Sequence, residues 1–132
     1  MILEIFTLCD AATVHAGKMN ILGSFDTLSA ESFPAQHTDC VVACKMRTTP
    51  EDHEPVDIEM HIIDPDGKDV IPPVSNRLEG GSRLHNHLWH IRGLPLPMPG
   101  TFYVDLLANG VLLARNPLFV RQNERRGGNQ GN

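Results

Sequence analysis

Hydrophobic and polar residues alternate along much of this chain, and the alternation predicts β-strands. The clearest run is 56–63, VDIEMHII: Val56, Ile58, Met60 and Ile62 fall on one side, and Asp57, Glu59 and His61 on the other. A period of two with one polar face marks a sheet solvated on one side. Residues 39–47 repeat it, with Cys40, Val42, Cys44 and Met46 directed to a core, and so do 101–108, with Phe102, Val104 and Leu106. Residues 2–9, ILEIFTLC, are almost continuously apolar and predict a strand covered on both faces. A turn at 15–18 joins them to a strand over 19–28 in a wide hairpin, and Gly23 there predicts a bulge or a close backbone approach. Residues 85–92 read as a strand of ambiguous facing. Residues 111–121 read as a strand with a break, bulge or edge position at Pro117.

Turn chemistry punctuates these runs. Asp64-Pro65-Asp66-Gly67 and Asn109-Gly110 are tight returns, the second a two-residue hairpin turn. Residues 72–84 predict a long loop, and 94–100, LPLPMPG, a proline-rich connection. A short strand is expected near 68–71. With no helical period anywhere, the expected fold is all-β: an antiparallel β-sandwich of seven to eight strands, with a closed barrel as the alternative. The expected organisation is one domain over 1–121 and a disordered tail over 122–132.

Composition narrows the function classes. Hydrophobic residues are 41% and charged residues 20% of the 132, with 10 Pro and 11 Gly. That is a globular composition and excludes a membrane-spanning protein. The net charge is −5, and the last twelve residues hold three arginines against one glutamate, so the rest is more acidic still. An acidic body argues against a nucleic-acid surface, because phosphate binding needs a basic field. The start lacks the basic segment of a secretory signal. Cys9, Cys40 and Cys44 have no CxxC spacing. Cys40 and Cys44 would sit roughly 13 Å apart along one strand face, too far for a bond. Reduced, buried thiols in a cytoplasmic protein are expected.

The densest chemistry is His85-Asn86-His87-Leu88-Trp89-His90. On a strand His85 and His87 share a face at roughly 6.5–7 Å, a spacing from which two imidazoles can ligate one metal. The alternative reading is therefore a metal-binding protein or metal-dependent enzyme using His85, His87 and His90, with His61 as a further candidate. Against it, no acidic residue follows within a few positions and no histidine comes later. The tail's Arg/Gly content is read as a solubilising end. Nucleophile elbows and phosphate loops are missing, and Asp64–Asp69 lacks the later glutamate of a calcium loop. Catalytic residues, cofactor and metal are all expected to be none. A third reading is a ligand cleft near Trp89.

Three stretches, GKMNILGSFDTL (17–28), IDPDG (63–67) and LPLPMPGTFYVDLLANGVLLARNPLFV (94–120), resemble a family of small bacterial proteins known only as a domain of unknown function. The resemblance spans 2–121 and implies an immunoglobulin-like or C2-like sandwich. It brings no activity and no catalytic residue. The resulting expectation is a non-enzymatic binding or assembly module acting through protein–protein contacts. Its partners are a protein or a second copy, neither nucleic acid nor membrane. Open sheet edges, with outward Leu107 and Phe119, are the expected means.

Overall fold

The alternating run at 56–63 folds as predicted, and the sheet around it takes its register from the same pattern. The computed structural model describes residues 1–123, and the tail expected to be disordered falls largely outside them, at 124–132. Among the described residues there are nine strands and no helix: β1 (Ile2–His15), β2 (Lys18–Phe25), β3 (Thr27–Ala30), β4 (Ala35–Thr48), β5 (Val56–Ile63), β6 (Val74–Leu78), β7 (Arg83–Leu96), β8 (Gly100–Ala108) and β9 (Val111–Gln122). They form two sheets, ordered β2-β1-β4-β7 and β3-β9-β8-β5-β6.

The count of nine corrects the expected seven to eight. The expected single strand at 19–28 is divided, because after Phe25 the chain leaves one sheet and Thr27–Ala30 joins the other. The expected loop at 72–84 contains β6, whose short sequence VSNRL is held by pairing with β5 rather than by its own pattern. The sheets are also not wholly antiparallel, since β3 runs parallel to β9. The proline-rich connection is largely strand: β7 continues through Pro95 to Leu96. Near 68–71 there is only the isolated bridge Ile63–Asp69.

The inner faces of both sheets meet in one core. β4 contributes Cys40, Val42, Cys44 and Met46; β5 contributes Ile58, Met60 and Ile62; β8 contributes Phe102, Val104 and Leu106. Burying such side chains is the main favourable term in folding. A second, smaller cluster lies apart from this core. Cys9, Ala12, Val41 and Ala43 are buried there, packed by Met19, Ile21 and Leu88. The β1–β2 hairpin thus covers alternate residues of β4 that the pattern assigned to neither face.

The local signals behave chemically as expected. Asn109 and Gly110 both take positive φ, 49° and 79°, as a tight hairpin turn requires. Asp64 accepts from the N–H of Asp66 at 2.8 Å and of Lys68 at 3.0 Å, closing the DPDG turn. Gly23, at φ 69°, lies against the Asp10 carboxylate, the close approach expected there. Pro117 pairs with Tyr103 of β8, and β3 begins its pairing with β9 only at Phe119, so the proline occupies an open edge position.

Candidate functional site

Strand β7 carries the histidine run, and its pairing with β4 resolves the facing. Arg83, His85, His87, Trp89 and Ile91 stand opposite Thr48, Met46, Cys44, Val42 and Cys40, the inward set of β4. His90 stands opposite Val41 and faces the other side. Past Gly93, at φ 80°, the inward residues become Leu94 and Leu96. One strand therefore has a lower half sealed in the core and an upper half lined with polar rings.

Those rings stack. His85 and His87 lie with centroids 6.4 Å apart, and His87 and Trp89 5.8 Å apart, each pair inclined by only 18°. Trp89 is buried and its Nε1–H donates to Asn76 Oδ1 of β6 at 2.7 Å. This bond ties the last strand of one sheet to the last strand of the other. Above it the sheets part into a groove of about 430 Å³, lined on one side by Arg77, Leu78 and Glu79 and on the other by Arg83, His85 and His87. Thr48 holds the top of β7, accepting the Arg83 N–H at 3.1 Å and donating to the Gly81 carbonyl. Burial pushes the His87 pKa down, and the neighbouring His85 adds to the effect. Arg77 is bound to Asp57 through two contacts of 2.8 and 3.2 Å. Arg83 has a longer approach, 3.8 Å, to Glu79.

The four histidines considered as metal ligands are not brought together. His85 and His87 share the groove, His90 lies on the opposite face, and His61 belongs to the outer face of the other sheet. His61 sits between two carboxylates, with Nδ1 2.9 Å from Asp69 and Nε2 3.2 Å from Glu59. Burial pulls its pKa down, but its hydrogen bonds to Asp69 and Glu59 outweigh that and leave it raised. Beside it, buried Asp105 takes a bidentate pair from Arg115 at 2.8 and 2.7 Å, and Arg115 covers the Tyr103 ring at 4.8 Å. Among the described residues no three His, Cys, Asp or Glu side chains are grouped to hold a metal. The cysteines are free and buried, and desolvation pushes Cys40 up to about 11 and Cys44 up to about 12.

A second cavity of about 200 Å³ opens between Phe6, Leu8, Phe25, Val104 and Pro117, where Asn116 Nδ2 donates to the Phe6 carbonyl at 2.8 Å. Sequence reasoning missed Asn76, Arg77 and Thr48 as parts of the groove. Asn76 and Arg77 lay in an expected loop, and only the pairing of β6 with β5 sets them opposite β7.

The comparisons with known proteins bear on family rather than chemistry. A family model described as "Family of unknown function (DUF6941)" matches residues 4–121. No curated protein matches. Among solved structures, the chain resembles Pseudomonas fluorescens alkylpurine DNA glycosylase AlkC bound to DNA containing an abasic site analog, at 13% identity and a TM-score of 0.46. The match covers 88% of this chain and 30% of that one, and no activity passes across it. That neighbour is bound to DNA, and the expectation of no nucleic acid among the partners is withdrawn accordingly. Net charge averages over a whole surface and by itself does not exclude such a partner. Here Arg77, Arg83, His85 and His87 lie together, with Glu79 among them, on a chain of charge −5. Among the described residues no helix is long and apolar enough to cross a membrane.

Proposed function

From the premise that the chain belongs to this family of unknown function, which brings no activity with it, we propose that it is a non-enzymatic binding module that receives an extended segment of another polypeptide along the free edge of β7. The observation that carries this reading is that β7, fourteen residues long, pairs among the described residues with β4 on one side only. A long unpaired edge presents N–H and C=O groups in register for another strand. The other edge strands are shorter, eight residues in β2, four in β3 and five in β6. The groove beside β7 gives alternate side chains of the incoming segment a place to lie. On the outer face of the other sheet, His61 is held by two carboxylates and Asp105 by Arg115.

An immunoglobulin-like rather than C2-like sandwich fits this reading. Neighbours β1-β4-β7 correspond to the A-B-E order of one immunoglobulin sheet, and β5-β8-β9 to C-F-G of the other. The buried free thiols support a cytoplasmic location.

Amide hydrogen exchange tests the binding reading. In the free protein alternate amides between Arg83 and Leu88 exchange quickly, and a bound segment protects them while β5 and β8 stay unchanged. Uniform protection of those amides in a monomer, established by sedimentation, would sink it. Concentration-dependent protection identifies the segment as a second copy.

A further inference from the structure

The inner face of the open strand has a definite chemistry. Arg83, His85, His87 and Trp89 occupy alternate positions on it, opposite inward residues of β4. An incoming strand also repeats every two residues, so one set of its side chains meets this row in step. The row is cationic at its top, where Arg83 is 58% exposed with Glu79 at 3.8 Å as its acidic neighbour. Across the groove Arg77 is already matched by Asp57. We propose that the segment received at β7 is acidic, with carboxylates at alternate positions facing Arg83, His85 and His87. This rests on the strand-addition reading above and names the partner's chemistry.

A peptide suits the site better than a nucleic acid. The free backbone edge matches another backbone, whereas unpaired bases stack on exposed aromatic faces. Trp89 offers none, being 7% exposed with its indole N–H held by Asn76. The charged and titratable groups around His87 are Arg83 and His85 on its own strand, Arg77 and Glu79 across the groove, and the Cys44 thiol behind it. Desolvation keeps that thiol protonated, so it adds no negative charge. Acidic partners therefore bind more tightly as pH falls and the His87 imidazole takes up a proton.

Trp89 is the one tryptophan of the chain and touches His87, so its emission reports directly on the groove. The full chain is titrated with a peptide of alternating Glu and Thr, matched Gln/Thr and Lys/Thr peptides, and an oligothymidylate, with β7 amide shifts followed by NMR. At pH 6 the Glu/Thr peptide binds about tenfold tighter than the Gln/Thr peptide, equivalent to about 1.4 kcal/mol. The preference narrows by pH 8. Arg83→Gln removes most of it, and His87→Gln removes its pH dependence while both variants melt like the parent at pH 8. Equal binding of Glu/Thr and Gln/Thr peptides with β7 protected would leave strand addition standing and overturn the acidic partner. Silence of β7 toward all the peptides overturns both. Tighter binding of oligothymidylate at the same salt overturns the peptide assignment.

Discussion

His61 and His87 are the same residue on the same kind of strand, yet the structure prepares them for opposite behaviour. His61 lies on the outer face of the five-stranded sheet with a carboxylate at each ring nitrogen. His87 lies in the mouth between the sheets, stacked between another imidazole and an indole. The carboxylates raise the first pKa against the pull of burial, and burial with a second imidazole lowers the other. One region is complete in itself and holds Asp69 against β5. The other faces an open groove between the sheets.

The largest test of this contrast is Trp89→Ala. Removing a buried ring that joins β7 to β6 is expected to cost about 3 kcal/mol in urea denaturation, whereas His61→Ala costs less than about 1 kcal/mol. Equal losses would show that the groove region is no more built into the core than the outer face. Next in size is Asn76→Ala, which strands the indole N–H in a buried place. About 1–2 kcal/mol of stability and a shift in Trp89 emission are expected.

A pH titration sharpens the comparison further. NMR should place the His61 midpoint above the ordinary 6.5 and the His87 midpoint below it. The stability effects have opposite signs. The raised His61 adds stability that is complete below 6.5 and disappears as pH rises through its folded value. The lowered His87 makes the unfolded chain take up its proton first, so stability declines as pH falls from 6.5 through the folded value. His61→Gln should remove the alkaline-side loss and His87→Gln the acid-side decline. Profiles unchanged by both would remove the electrostatic distinction between the regions. The smallest effect expected is from Arg77→Gln, which opens the groove wall by releasing Asp57 and leaves the melting profile nearly unchanged.

The legible parts of the molecule were those whose cause is local. Val56–Ile63 could be assigned face by face because a side-chain period of two needs no knowledge of neighbours. Asn109-Gly110 and Asp64–Gly67 could be placed because their conformations belong to those residues. β6 could not be seen, since VSNRL pairs through its backbone with β5 and its sequence is that of a loop. Val41 and Ala43 could not be assigned to a second buried cluster, because the β1–β2 hairpin that covers them lies far from them in the chain. For the site, the run His85–His90 stood out by type, but its facing stayed ambiguous until β4 was set beside it.

Alone, the order of residues determined that this chain makes sheets, where its tight turns fall, and which inward residues of β4, β5 and β8 form the core. Each of these depends on a residue and its near neighbours. Tertiary structure decided that two imidazoles and an arginine share a groove with β6, that His61 is closed off by carboxylates, and that β7 ends its sheet, unpaired on its outer side among the described residues. Those facts depend on which distant backbones come to lie side by side, and an edge exists only once every other strand has found its place.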